Sequence, residues 1–284
     1  MKILLTGSKG QVGSALGRAL APSGDLVSLD RSGLDFLNLK SIKEKIALEK
    51  PDIIVNAAAY TAVDRAEQEK DIAFAVNARA VQELARAAKS LDALLVHFST
   101  DYVFDGEKRA PYVEKDQPAP LSVYGRSKLE GERAVAASGC RHFIFRTSWV
   151  YGATGRNFLN AILAAARAQP ELRVVDDQHG APTSSNAIAK AVADVLARPD
   201  FMKKANGIYH LSAAGETTWH GFAAAILQAR ALRIPLAAIR SDEYPAAAKR
   251  PKNSVLDNAK SAATFGIALP DWREGLAAVL RELH

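Results

Sequence analysis

Along the first 150 residues of this 284-residue chain, short unbroken apolar runs alternate with longer segments whose apolar residues recur at helical spacing. Such runs are typical of strands buried on both faces of a sheet, and the longer segments are typical of amphipathic helices. The predicted strands are 2–6, 25–29, 51–55, 93–98 and 142–147, and the predicted helices are 11–20, 40–49, 72–91 and 121–138. This alternation predicts an α/β fold with a doubly wound parallel sheet of the Rossmann type.

The pattern becomes less regular after residue 150. There we predict a helix ending near 168, a short strand at 172–175, a helix at 186–197, a strand at 209–211, and helices at 219–230 and from about 272. We therefore expect two domains. Residues 1–150 form a dinucleotide-binding domain, to which the segment near 184–211 returns, and residues 151–284 mainly form a smaller C-terminal α/β substrate-binding lid domain.

The composition limits the kinds of partner. Hydrophobic residues make up 48% of the chain and charged residues 24%, as in ordinary globular proteins. The net charge of +6 suits a phosphorylated ligand, but no long Lys/Arg run favours a nucleic acid, and no apolar stretch approaches a membrane span. We expect no signal peptide, no nucleic-acid partner and no membrane partner. The single cysteine, Cys140, excludes an internal disulfide and fits a reducing cytoplasm.

A glycine-rich turn follows the first predicted strand and opens the first helix. Gly7, Gly10 and Gly13 lie in this turn, within the run 6–13. Glycines let a backbone approach a pyrophosphate closely, and the helix N-terminus offers it free N–H groups. The first two glycines are one residue further apart than in G-x-G-x-x-G, and glycine turns also serve plain strand-to-helix connections. Taken alone, the turn indicates a dinucleotide site without establishing one.

The ends of the next two strands carry further candidates for the cofactor site. Asp30 ends the second strand, where a carboxylate can accept hydrogen bonds from an adenosine ribose. Arg31 is placed to meet a 2′-phosphate instead, so the choice between NAD and NADP stays open. Asp35 and Phe36 fall where a loop would cover the adenine. The small residues of 56–61, after the third strand, would let a dinucleotide lie close to the sheet.

Tyr124 and Lys128 stand four residues apart on a predicted helix and share one face. A phenol has a pKa of roughly 10, and a nearby ammonium lowers it, so such a pair suits proton exchange with a substrate oxygen. A surface tyrosine above a solvated lysine gives the same spacing. Ser99 and Thr100 end the fourth strand and would point into the same crevice, which favours the catalytic interpretation.

Three isolated polar residues have weaker interpretations. Asn77 lies in an alanine-rich helical segment, and a buried amide there needs partners, so we expect it to tether neighbouring backbone. Arg250 is a candidate partner for a diphosphate or a solvated arginine. His179 has no second His or Cys nearby and is expected to be a hydrogen-bonding loop residue.

Taken together, these motifs resemble the extended short-chain dehydrogenase/reductase family. Within it, the chain resembles the dTDP-4-dehydrorhamnose reductases through N-A-A-A-Y-T-A-V-D at 56–64, S-T-D-Y-V-F-D-G at 99–106, R-T-S-W-V-Y-G at 146–152 and D-Q-H-G-A-P-T at 177–183. The likeness covers nearly the whole chain. It implies an NAD(P)H-dependent oxidoreductase of nucleotide-sugar and polysaccharide biosynthesis.

The resemblance also implies roles for individual residues. Tyr124 would give a proton to the C4 oxygen of a 4-keto sugar, Lys128 would hold the nicotinamide ribose and lower the phenol's pKa, and Thr100 would bind the same oxygen. The implied cofactor contacts are Gly7, Gly10, Gln11, Val12, Gly13, Asp30, Arg31, Asp35, Phe36, Ala59, Tyr60, Thr61, Ser99, Tyr124 and Lys128. The implied sugar contacts are Val63, Thr100, Asp101, Tyr124 and Trp149.

The chain departs from the family pattern at one position, and two alternative functions stay open. Some members of the family form dimers through magnesium held by an acid three residues after the G-A-P-T threonine, where this chain has Asn186. This argues against a metal, and leaves a homodimer without one as a candidate assembly. The first alternative is a sugar-nucleotide epimerase or dehydratase of the same fold. The second is a non-catalytic NADP-binding regulatory subunit similar to that of methionine adenosyltransferase.

Overall fold

The structure is a computed structural model that describes residues 1–203 and 206–283. Its strands are β1 (Lys2–Thr6), β2 (Asp25–Leu29), β3 (Ile53–Asn56), β4 (Leu94–Thr100), β5 (His142–Thr147), β6 (Val150–Tyr151), β7 (Leu172–Val175), β8 (His179–Gly180), β9 (Thr183–Ser184), β10 (Asn206–His210), β11 (Thr217–Thr218) and β12 (Leu236–Ile239). Its helices are α1 (Gln11–Leu20), α2 (Leu39–Glu49), α3 (Val63–Ala66), α4 (Lys70–Phe74), α5 (Ala80–Ser90), α6 (Val123–Ala137), α7 (Phe158–Ala168), α8 (Ser185–Leu196), α9 (Pro199–Lys203), α10 (Trp219–Ala229), α11 (Ala259–Phe265) and α12 (Trp272–Glu282).

Six parallel strands form the central sheet in the order β10-β5-β4-β3-β1-β2. The predicted doubly wound parallel sheet is therefore confirmed. The chain order reverses at β1, which lies between β2 and β3. In open sheets of this kind, ligands bind at such a switch point, beyond the carboxyl ends of the strands.

Alternate residues of the buried strands point to opposite faces of the sheet, as the two-residue period of a strand requires. On one face Ile3, Leu5 and Val55 pack with α1 and α8. On the other, Leu4 and Ile54 pack with α2 and α5. The unbroken apolar runs in the sequence therefore arise because both faces are covered by helices.

A separate apolar cluster lies in the second half of the chain. Tyr151, Leu159, Phe222, Trp272 and Leu276 belong to it, and the short parallel pair β7 and β12 lies among the same elements. β10 returns to the central sheet beside β5. The division of the chain at residue 150 stays a prediction.

The helix predicted at 72–91 is interrupted by a π-helical turn, Ala75–Arg79, between α4 and α5. Asn77 lies in this turn and is fully buried. Its Oδ1 accepts from the backbone N–H of Tyr60 at 2.8 Å, and its Nδ2 donates to the Tyr60 carbonyl and the Ser127 hydroxyl, both at 3.0 Å. This confirms the prediction that Asn77 tethers neighbouring backbone.

Among the residues described, none of the helices is both long enough and apolar enough to cross a bilayer.

Candidate active site

A cleft of about 520 Å³ lies at the switch point, beyond the ends of β1, β2 and β3. Eight of the predicted cofactor residues line it: Gly7, Gly10, Asp30, Arg31, Asp35, Phe36, Ala59 and Tyr60. Lys9, Arg65 and Glu69 line it as well. The cleft follows the course predicted for a dinucleotide, from the glycine turn past the end of β2.

Two glycines of the turn have no room for a side chain. Gly7 has a φ of +69°, and a Cβ there would lie 2.6 Å from the amide nitrogen of Ala58. A Cβ at Gly13 would lie 2.0 Å from the Gly7 carbonyl oxygen. These contacts bring the N-terminus of α1 against the turn and leave bare backbone facing the cleft, which fits a pyrophosphate.

Other predicted cofactor residues lie outside this cleft. The Gln11 side chain donates to the Arg156 carbonyl at 2.9 Å and accepts from Asn157 at 3.2 Å, so it joins the glycine turn to the loop before α7. Val12 packs against the core, and Thr61 is exposed.

Asp30 is surrounded by donors at the end of β2. Its carboxylate forms an ion pair with Lys9 and accepts from the Ser32 hydroxyl at 2.6 Å and the Gly33 amide at 3.1 Å. The bond to Lys9, followed by that to Ser32, holds the pKa of Asp30 well below its usual range. Asp30 is therefore a carboxylate whose charge Lys9 partly neutralises.

The loop after β2 holds Asp35 and Phe36 by local contacts. Asp35 Oδ1 accepts from the Leu37 amide at 3.0 Å, and Phe36 is buried in the core beneath the cleft. Both residues line the cleft, Phe36 as part of its buried floor and Asp35 as an exposed side chain.

Tyr60 connects the cleft to the predicted catalytic residues. Its hydroxyl donates to Glu69 at 2.5 Å, and Arg65 donates to the same carboxylate. The Tyr60 ring packs in one apolar cluster with Tyr124 and Val123. Tyr124 does not itself line the cleft, but it packs against the same apolar cluster as Tyr60, which does.

The start of α6 is fixed by two caps. The Ser122 hydroxyl accepts from the Gly125 amide at 3.1 Å, and Glu67 accepts from the Val123 amide at 2.7 Å. Side chains that satisfy the free N–H groups of a first turn stabilise it. Tyr124 lies in this first turn and is oriented by it.

The phenol of Tyr124 is protonated at neutral pH. Burial raises the pKa of Tyr124 to about 12, and the neighbouring Thr100 hydroxyl only partly opposes this rise. The Tyr102 ring packs edge-on, with the ring centroids 5.6 Å apart. The expectation that Lys128 lowers the phenol's pKa is not met in this structure, because burial sets the direction of the shift and Lys128 is not among its causes.

Lys128 points at the sheet rather than at the phenol. Its Nζ donates to the Phe98 carbonyl at 2.5 Å, and burial lowers the pKa of Lys128 to about 8. Thr100 Oγ1 donates to Asp101 Oδ1 at 2.9 Å. Burial raises the pKa of Asp101, which is 1% exposed, to about 6. The structure thus brings Tyr124, Thr100 and Asp101 together, with Lys128 one helical turn along.

The remaining predicted sugar contacts lie on separate elements. Val63 is the first residue of α3. Trp149 follows β5 with a φ of +47°, an uncommon value for a bulky residue, and its ring stacks on Trp219 with the centroids 3.6 Å apart. Trp219 in turn donates to Gln178 at 3.2 Å.

Two other residues, Arg250 and Asn186, are bonded to side chains elsewhere in the chain. Arg250 forms an ion pair with Asp64 at 2.6 Å, so it is not a solvated arginine, and its role toward a diphosphate stays a prediction. Asn186 accepts from Arg18 at 3.0 Å and donates to Glu282 at 2.7 Å. Across residues 1–203 and 206–283, no three His, Cys, Asp or Glu side chains are grouped as a metal site.

Several residues around the site were not predicted from the sequence. Lys9 lies within the glycine turn, but nothing in the sequence shows that it pairs with Asp30. Glu69 and Trp219 come close to the site only through the fold. Glu132 could have been noted from the sequence, because it follows Lys128 by four residues on the same predicted helix and therefore lies on the same face.

The comparisons with known proteins agree with this geometry. The family model described as RmlD substrate binding domain matches residues 1–284. The chain is 46% identical over 295 residues to a dTDP-4-dehydrorhamnose reductase of Burkholderia thailandensis, covering 100% of this chain and 99% of that one. The structure is similar to that of a dTDP-4-dehydrorhamnose reductase from Clostridium acetobutylicum, with a TM-score of 0.95, 37% identity and coverage of 100% and 99%. It is also similar to that of a dTDP-4-dehydrorhamnose reductase from Bacillus anthracis in complex with NADP, with a TM-score of 0.92, 35% identity and coverage of 99% of both chains.

Proposed function

Because the chain belongs to the RmlD substrate binding domain family, we propose that it reduces dTDP-4-dehydro-L-rhamnose to dTDP-L-rhamnose, with NADPH or NADH as the reductant. The resemblance found in the sequence is confirmed by this family match. The observation that carries the proposed chemistry is the protonated phenol of Tyr124, which lies beside Thr100 and packs against the same apolar cluster as Tyr60 of the cleft.

The residues of the cleft fit a nicotinamide dinucleotide. When bound, the cofactor supplies the hydride that reduces the C4 carbonyl. Gly7, Gly10 and the N-terminus of α1 would hold the pyrophosphate, Asp30 and Arg31 would face the adenosine ribose, and the loop at Phe36 would cover the adenine.

Tyr124 would supply the proton. Reduction of a ketone places negative charge on its oxygen, and two hydroxyls directed at that oxygen stabilise the charge. A phenol with a pKa of about 12 keeps its proton until the oxygen becomes an alkoxide, which is more basic. Lys128, charged below its pKa of about 8, lies one turn away and would stabilise the phenolate left behind.

The two alternative functions differ from a reductase in whether they consume the nicotinamide cofactor and the sugar. An epimerase or dehydratase restores its nicotinamide in each cycle, and a regulatory subunit turns over no sugar. Full-length relatives at 46% and 44% identity are dTDP-4-dehydrorhamnose reductases, which supports the reductase over both alternatives.

The test is a stoichiometric assay of the purified protein with dTDP-4-dehydro-L-rhamnose and NADPH or NADH. We expect one nicotinamide to be oxidised for each sugar reduced. Tyr124→Phe should lower turnover by about a hundredfold or more, the usual contribution of a positioned acid, while NADPH binding survives. Tyr244→Phe, at a half-exposed phenol, is the matched control. Turnover of Tyr124→Phe near that of the control would reject the proton-donor role.

We place the enzyme in the cytoplasm as a homodimer without a bridging metal, acting on a nucleotide sugar. The buried free thiol of Cys140 supports the reducing compartment, and the pairing of Asn186 with Arg18 and Glu282 supports the absence of a bridging metal. Light scattering with and without a chelator tests it, and a dimer that dissociates on chelation would contradict it.

A further inference from the structure

A buried cluster of charges lies where α6 packs against β5, next to the turn of α6 that carries Tyr124. Lys128 and Glu132 are each 2% exposed, and Arg146 is 1% exposed. Arg146 donates two hydrogen bonds to the Glu132 carboxylate, from Nε to Oε1 at 2.9 Å and from Nη2 to Oε2 at 2.6 Å. The Ser99 hydroxyl donates to the same carboxylate.

Glu132 joins the three elements that carry the proposed chemistry. Ser99 and Arg146 face each other in the register of β4 and β5, and Glu132 reaches both from α6. Thr100 follows Ser99 directly, and Tyr124 lies two turns before Glu132 on its helix. One carboxylate therefore fixes the helix that carries the phenol against the strand that carries its hydroxyl partner.

Glu132 also favours the charged form of Lys128, although its ion-pair partner is Arg146. The two residues are four apart on α6, where side chains of a helix are neighbours. Burial disfavours the ammonium of Lys128, whose Nζ donates to the neutral carbonyl of Phe98, and the carboxylate of Glu132 opposes that effect.

Other titratable groups lie on the elements packed against α6. The buried ones are His97 on β4, Asp101 after it, and His142 and Arg146 on β5. Burial holds the pKa of His97 well below its usual range, so this imidazole is neutral. Arg146 is a second cation, and its bidentate contact places it on the carboxylate of Glu132.

We propose that Glu132 is a positioning residue of the reductase, which acts by keeping the buried Lys128 ammonium charged and by holding α6 against Ser99 and Arg146. This inference rests on the proposed function for its catalytic consequence. Its electrostatic part concerns the ligand-free protein and is tested there, so that the two proposals fail separately.

The first experiment titrates Lys128 in the ligand-free protein by NMR of labelled lysine side chains, with the signal assigned through Lys128→Met. In Glu132→Gln we expect the midpoint to fall by about one unit, since a nearby opposite charge shifts a pKa by that order. Glu130→Gln is the matched control, because Glu130 lies on the same helix with an exposed Arg133 partner. The control should titrate like the wild type.

Glu132→Gln leaves a buried arginine without its carboxylate and can fail to fold. Glu132→Gln with Arg146→Met removes both charges of the pair and keeps the volume filled. In this double variant the Lys128 midpoint should fall below that of Arg146→Met alone, which keeps the carboxylate. In whichever variant folds, an unchanged midpoint overturns the proposal.

The second experiment measures turnover against pH. The alkaline limit of activity should move to lower pH in Glu132→Gln or the double variant, by the same amount as the Lys128 midpoint. A purely structural role would lower turnover equally at every pH, and that result would also overturn the proposal. A wild-type protein without reductase activity would reject the proposed function, and the titration would still decide the role of Glu132.

Discussion

Replacing Asn77 by alanine tests whether the π-helical turn is held by a single amide. The side chain makes three hydrogen bonds, two to the backbone of Tyr60 and one to Ser127. Asn77→Ala removes all three and leaves Tyr60 backbone groups without their partner.

The expected cost follows from those bonds. Each hydrogen bond contributes about 0.5 to 1.5 kcal/mol net, so the variant should lose about 2 to 4 kcal/mol of its free energy of unfolding. At about 2 to 4 °C per kcal/mol, the melting temperature should fall by roughly 10 °C. Tyr60 lines the cleft, so NADPH binding should weaken as well.

Urea unfolding followed by circular dichroism measures the loss, and fluorescence titration measures the affinity for NADPH. Asn38→Ala is the matched control, since that side chain caps α2 with one bond to the Ser41 amide at 3.2 Å. The control should cost about 1 kcal/mol. If Asn77→Ala is no more destabilising than Asn38→Ala, the three hydrogen bonds of Asn77 do not hold the π-helical turn.

Three further outcomes are expected. Asp30→Ala should weaken NADH more than NADPH, because only NADH offers a free 2′-hydroxyl to this carboxylate; equal losses in binding titrations would contradict the ribose role. The pKa of Asp101 is raised by burial from 3.8 to about 6, so the stability it contributes is complete below pH 3.8 and is lost as the pH rises through 6. The free energy of unfolding of Asp101→Asn should therefore rise by about 3 kcal/mol relative to that of the wild type as the pH increases from 4 to 8. A difference between the two proteins that does not change with pH in urea unfolding would rule this out. Gly13→Ala places a Cβ 2.0 Å from the Gly7 carbonyl and should weaken NADPH binding more than tenfold or prevent folding; normal binding would show that the turn is not rigid.

The regular elements were predictable because both faces of the sheet are covered. β1, β2 and β5 have the predicted bounds, and α6 runs from Val123 to Ala137 where 121–138 was predicted. The π-helical turn was not predictable. It depends on contacts of Asn77 with residues 17 and 50 positions away, and helix propensity carries no such information.

The same distinction applies to the site. Glycine spacing and strand ends indicated the cleft, because they are local features. The direction of the Tyr124 pKa shift was not predictable, since spacing places a lysine nearby while burial is set by the whole fold. The Lys9 partner of Asp30 and the Trp219 partner of Trp149 likewise arise only when distant segments meet.

The capping of α6 by Glu67 has a consequence for protein engineering. The segment that caps this helix also supplies Tyr60 and Glu69 to the cleft. A chimera that grafts the Tyr124 helix onto a new scaffold must therefore import residues 60–77 with it. Transplanted alone, the helix would lose the carboxylate at its first turn, and recombination between relatives should succeed best at crossovers outside this block.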